Sequence, residues 1–148
     1  MAGEYKEYHP SQVVMSIAGI PIVGTADGDM VTVEYEGDAF EDEAGTDGET
    51  VRSVNMDRRA TVTFRLMQTS SSNPALDALH AADYNAAVNG AGGAGVGTFL
   101  LQDLGGATLL RSEKAWIAAP PSVAFGPTAG PREWKIRCAK LSGTHGGN

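Results

Sequence analysis

Cysteine is nearly missing from this chain: Cys138 is the single one among 148 residues. That excludes an internal disulfide framework and a multi-cysteine zinc site, and it fits a reducing compartment of synthesis. Long apolar runs are also lacking. None approaches the roughly 20 residues that span a bilayer, so no membrane anchor is expected, and residues 1–9 carry no apolar core of a signal peptide. Histidine is scarce. His9 and His145 lie near the termini, and His80 has no His or Cys three or four residues away, so metal-ligand spacing is absent. No serine sits in a G-x-S-x-G elbow and no Walker phosphate loop occurs. The glycines around Gly93-Ala-Gly95 follow a predicted helix and precede a strand, the reverse of what a dinucleotide-binding turn requires. These absences leave no catalytic constellation, no cofactor site and no metal site to propose, and the chain is expected not to be an enzyme.

What is present describes one globular domain over residues 1–148. With 42% hydrophobic and 20% charged residues, the composition is ordinary for a chain with a packed core. At this length about 70% of the unfolded surface is hidden on folding. The 19 glycines and 7 prolines point to frequent turns. The net charge of −7 is concentrated in one place: residues 34–49 hold eight of the 18 acids and no base, leaving ten acids against eleven Lys and Arg elsewhere. Such a chain is not built to grip nucleic acid, which needs clustered cations. No EF-hand pattern occurs in the segment, although a calcium site of another kind stays open. Eight like charges repel one another. The segment is therefore either a solvated hairpin tip or a long hairpin that meets basic groups of another subunit. Arg52, Arg58 and Arg59 follow it as possible partners, with Phe40 and Val51 as apolar anchors.

Alternation with period two dominates the rest. Strands are predicted over 11–18, 20–24, 31–36, 49–54, 61–66, 98–104, 108–118 and 132–141, with turns at Asp27-Gly28, Asp47-Gly48 and Gly105-Gly106. Asn73 reads as an N-cap and Pro74 as the first residue of a helix over 73–87, with Leu76, Leu79 and Asp83 on one side. A glycine-rich loop over 88–97 follows, Pro120-Pro121 breaks the ladder, and 142–148 reads as a flexible tail. The expected fold is mainly β: a sandwich or barrel of about eight strands with one flanking helix and a long extended hairpin loop. Its expected core is Val31, Val33, Val62, Phe64, Leu66, Trp116, Trp134 and Ile136. Cys138 alternates with Trp134 and Ile136, so it reads as a buried small hydrophobe rather than a nucleophile.

Several runs resemble a known family. Tyr8-His-Pro-Ser-Gln-Val13, Ile17-Ala-Gly-Ile-Pro-Ile22 and Ala26-Asp-Gly28 look like its opening. Gly45-Thr-Asp-Gly-Glu-Thr-Val-Arg52, Asn55, Asp57-Arg58, Thr61-Val-Thr63 and Gln68-Thr-Ser70 look like its middle. Leu101-Gln-Asp-Leu-Gly-Gly106, Ala115-Trp-Ile117, Pro120-Pro121 and Arg132-Glu-Trp-Lys-Ile-Arg-Cys-Ala139 look like its end. In order along nearly the whole chain, these resemble the phage tail tube proteins, a small structural-protein family of tailed, mostly contractile-tail phages. The resemblance implies six copies closing into a ring, and rings stacking into a hollow tube for genome delivery. The implied partners are the chain itself and the tail sheath, tape measure, baseplate and tail terminator proteins. DNA would pass through the lumen without specific binding, and the tube would be assembled in the host cytoplasm and carried in the virion. A long hairpin is implied to reach the next ring. Residues 36–58 fill that role, with Glu36, Asp38, Phe40, Glu41, Asp42, Glu43, Arg52, Arg58 and Arg59 as inter-ring candidates and Glu34 and Glu36 as lumen candidates. The alternatives are the tube of a tailocin or secretion-type contractile machine and a small β-barrel metal enzyme.

Overall fold

In β6 (Ala60–Leu66), Ala60, Val62, Phe64 and Leu66 are fully buried while Thr61, Thr63 and Arg65 are half-buried on the other side. Alternation of this kind makes one face of a pleated strand apolar, and such a strand must lay that face on others of its kind. The computed structural model describes residues 10–25 and 31–146. Residues 1–9, 26–30 and 147–148, with His9 and the Asp27-Gly28 turn, lie outside them. The remaining strands are β1 (Val13–Ile17), β2 (Ile20–Ile22), β3 (Val31–Tyr35), β4 (Phe40–Ala44), β5 (Thr50–Val54), β7 (Gly97–Asp103), β8 (Thr108–Ala119), β9 (Arg132–Cys138) and β10 (Ser142–His145). One helix, α1 (Ser72–Val88), lies between β6 and β7.

Eight strands form one antiparallel sheet in the order β2-β1-β7-β8-β9-β6-β3, with β10 joined to β8. The sheet folds over its own buried face in the manner of a β-sandwich. The chain after β2 comes back to the end of β6, where Thr25 bridges Leu66 and the Met67 N–H donates to the Gly24 carbonyl at 2.8 Å. The expected mainly-β fold is therefore observed, with one α-helix among the described residues. β1 and β2 are joined by Ala18-Gly19 alone, with φ of 50° and 82°. Two positive φ values make the tight hairpin turn whose twist matches its strands.

The core runs along the β6–β9 register, where Val62 faces Ile136 and Phe64 faces Trp134, all four buried. Val31 and Val33 are half-buried and pack against this core. Trp116, expected inside, is half-buried and lies between buried Ala115 and Ile117, so pleating turns it to the opposite face. The helix begins at Ser72 with Ser71 before it, one residue earlier than expected. Asn73 does not cap it. Its amide donates to the Met67 carbonyl at 2.9 Å, and its oxygen accepts from Trp134 Nε1 at 2.9 Å. One side chain thus ties α1, the end of β6 and the core tryptophan together. The glycine-rich loop is held as well: the Gly95 N–H donates to the Asp83 carboxylate at 3.2 Å. The expected flexible tail is in part a strand, since residues 142–145 pair with 108–111. Gly143 makes that possible, because at φ 141° any Cβ there would collide with the Leu109 carbonyl.

Trp134→Ala is expected to lower unfolding free energy by about 3–5 kcal/mol, measured by urea titration. Trp134→Phe keeps most of the volume and isolates the Asn73 bond, worth about 1 kcal/mol. Burial pushes the Cys138 thiol from its ordinary 9.0 to about 11, against smaller opposing effects of Ser112 and Arg137. The neutral thiol is the form the fold prefers, so its contribution is complete below pH 9 and is lost as pH rises from 9 to 11. Wild type is expected to lose stability relative to Cys138→Ala across that window. Ellman's reagent at pH 8 is expected to react only after denaturation.

Candidate interaction surface

β4 and β5 form a separate two-stranded sheet. Every residue of both strands is exposed. Its tip is the Asp47-Gly48 turn expected from sequence: the Gly48 N–H donates to the Gly45 carbonyl at 3.1 Å, and Asp47 Oδ1 accepts from the Glu49 N–H at 3.2 Å. Gly48 sits at φ 86°, where a side chain is disfavoured.

The register sorts the arm into two faces. Phe40 opposes Val54, Asp42 opposes Arg52 and Ala44 opposes Thr50 on one face; Glu41 opposes Ser53 and Glu43 opposes Val51 on the other. On the first face the Arg52 guanidinium lies 4.4 Å from the centre of the Phe40 ring, which shields part of the ring and sets a cation beside Asp42. On the second face no cation opposes Glu41 or Glu43. Phe40, Val51 and Val54 are 52%, 61% and 65% exposed, and Met56 at the root is 89% exposed. A lone two-stranded hairpin is marginal in water, and apolar side chains gathered on one mark a contact surface.

The root is firmly built. The Asn55 N–H donates to the Ala39 carbonyl at 2.8 Å, and Asn55 and Asp57 each accept a backbone N–H two residues on, at 3.0 and 3.1 Å. Asp57 takes the Arg59 guanidinium through both carboxylate oxygens, at 2.9 to 3.1 Å. These bonds from the Arg59 side chain, then its backbone, hold the exposed Asp57 carboxyl below the usual range, and Asp57 raises Arg59 in turn. Arg58 stacks 4.2 Å over the Tyr35 ring, whose hydroxyl meets His145 Nε2 at 3.1 Å. Glu36 binds Arg137 at 2.6 Å and accepts from the Thr61 hydroxyl at 3.1 Å.

The sequence candidates thus divide. Asp38, Phe40, Glu41, Asp42, Glu43 and Arg52 belong to the exposed arm or its approach, whereas Glu36, Arg58 and Arg59 are engaged with this chain's own side chains at the root. Glu34 is exposed on β3, opposite Thr61 of β6. Val54 and Met56 escaped the sequence reading, although the arm's register places Val54 beside Phe40. A second uncovered apolar stretch, Val123 and Phe125 between β8 and β9, also escaped it, because neither residue lies in a periodic run. Among the described residues no three His, Cys, Asp or Glu stand together as a metal site, and no helix is long and apolar enough to cross a membrane. His80 bonds the Ile117 carbonyl at 3.2 Å.

No protein-family model matches the chain. Among solved structures, the cap that terminates the tube of the anti-feeding prophage superposes with a TM-score of 0.58 at 8% identity, covering 96% of this chain and 93% of that one. The sheath/tube terminator of the extracellular contractile injection system PVC, in its extended state, gives 0.55 at 10% identity over 95% and 98%. A chain of the PVC sheath–tube complex gives 0.56 at 13% identity over 97% and 95%. At such identities these likenesses establish the fold. The structural protein ORF10 of Pseudomonas phage KPP10 is 33% identical over 154 residues, covering 100% of this chain and 87% of the relative. With that identity along its whole length, the chain belongs to the family of phage structural proteins that includes ORF10 of KPP10.

Proposed function

We propose that this chain is a tail tube subunit: six copies close into a ring, and rings stack through the β4–β5 arm into a conduit for genome delivery. The observation that carries the reading is the arm itself, fully exposed, with three apolar side chains more than half uncovered and a root cross-braced by Asn55, Asp57 and Arg59. A rigidly rooted, apolar and acidic arm suits a surface that is buried only in an assembly. The fold shared with components of contractile injection machines supports the same reading. Free sheet edges support it too, because closure of a ring pairs backbone groups that would otherwise invite uncontrolled aggregation.

The tube needs no active site. Its partners are further copies of itself, a surrounding sheath, a tape measure inside, and a baseplate and terminator at the ends. The outer face of β3, β6 and β9 carries Thr32, Thr61 and Thr63 among Glu34, Glu36, Glu133, Arg65, Lys135 and Arg137. Acids and cations balance there, so such a face would give DNA little to grip. Glu36 would line a lumen only as the partner of Arg137.

Negative-stain electron microscopy across a concentration series is expected to show hollow tubes of uniform width. Replacing residues 41–53 by a short Gly-Ser turn is expected to leave a folded subunit that no longer stacks. Rings from the intact chain that never stack would instead mark a tube terminator. Monomers at every concentration, with no growth on a preformed baseplate, would overturn the assignment.

A further inference from the structure

The β7–β8 ladder carries one irregularity. Phe99 pairs with Ser112 and Gly97 with Ala115, so β8 has one more residue than its partner between these points. An extra residue breaks the in–out alternation. As a result Glu113 and Lys114 are both exposed between buried Ser112 and Ala115. Lys114 thereby joins Arg111 and Lys140 around a cleft of about 370 Å³. The cleft is tied down on both sides of Lys140: the Ala139 N–H donates to the Lys114 carbonyl at 2.9 Å, and the Leu141 N–H donates to the Arg58 carbonyl at 3.1 Å. The Ser112 hydroxyl also donates to the Lys114 carbonyl, at 3.1 Å. Among the described residues none of the three cations enters an ion pair; those formed are Arg59–Asp57 and Arg137–Glu36. One acid, Glu113, shares the cleft with them.

We infer that this cleft receives the acidic face of the β4–β5 arm of a second copy of the chain. The inference rests on the tube reading and names the surface that the arm would meet. The argument is charge complementarity between two surfaces whose charged groups form no ion pair with each other or with any other of the described residues. Glu41 and Glu43 lie on the same face of β4, about 7 Å apart, with Ser53 and Val51 across from them. Arg111 and Lys114 on β8, with Lys140, line the cleft and offer it cations. Opposed rows of this kind set the register of a contact and suppress wrong pairings. The donor and acceptor surfaces differ, so the contact is head-to-tail and can repeat without limit. The Leu141–Arg58 bond also ties each cleft to the root of its own arm, a direct backbone route from one contact to the next.

The test is a charge swap in the full-length chain, read by sedimentation and negative-stain microscopy, with circular dichroism to verify folding. Glu41→Lys with Glu43→Lys, and separately Lys114→Glu with Lys140→Glu, are each expected to raise the protein concentration needed for assembly roughly tenfold or more. The four substitutions together are expected to restore assembly. A second readout uses the burial of Cys138, which leaves engineered cysteines as the accessible thiols. A Glu43→Cys chain mixed with a Lys140→Cys chain is expected to form a crosslinked dimer with a short bifunctional maleimide. If the arm variant fails to assemble while the cleft variant assembles normally without a crosslink, the cleft is not the receptor and the tube reading stands. If both double variants assemble as wild type does, the arm-stacking reading falls as well. Loss in both without rescue would overturn the direct pairing.

Discussion

The constraint on which the rest depends is the burial of one strand face against another across β6 and β9. Val62 on Ile136 and Phe64 on Trp134 supply fully desolvated apolar surface in the middle of the sheet, where burial contributes most. Trp134 is large and carries one polar hydrogen, and buried donors must be satisfied. Asn73 satisfies it, and in doing so fixes where α1 starts relative to the sheet. The helix is a poor one alone: Ser72 and Leu76 are its buried residues, with Leu79 half-buried against the core. It depends on the sheet rather than on its own turns.

A body organised this way leaves the β4–β5 arm outside its core. Within the sheet an acid between two apolar neighbours can face water while they face inward. In the arm neither face is covered, so Glu41 and Val51 stand on the same side in water. Exposed apolar groups and crowded acids carry a cost in a free subunit, which the proposed burial of the arm in an assembly would relieve. The root shows the complementary economy: cations nearest the body are committed to Glu36, Asp57 and Tyr35, which stiffens the lever without adding to its charge. Another surface is shaped by the irregularity in β8. A regular strand would alternate Glu113 and Lys114 between core and solvent; the extra residue turns both outward.

Much was legible in advance because it is local. Alternation in Thr61–Leu66 and Arg132–Cys138 specifies which side chains are inside, and Asp47-Gly48 specifies a turn whatever surrounds it. The acidic arm was legible for the same reason, since like charges with no local base cannot be buried together. Trp116 was misjudged because an aromatic residue in a strand is apolar by composition, while its side of the sheet follows from register after an irregularity that leaves little trace in the sequence. The tail was misjudged because a serine, a glycine, a threonine and a histidine carry no apolar pattern. Their strand is held by backbone bonds to β8, which any residue types can make.

The sequence alone, then, determined the strand periodicity, the single helix, the charged arm and a family resemblance borne out at the level of a phage structural protein. Tertiary structure decided which strands become neighbours and which cations pair among the described residues. The physical reason is range. Periodicity, turn chemistry and like-charge repulsion act over a few residues and are written in order along the chain. The pairing of Arg137 with Glu36, or the gathering of Arg111, Lys114 and Lys140, depends on segments brought together by the burial of a core distributed over the whole sequence.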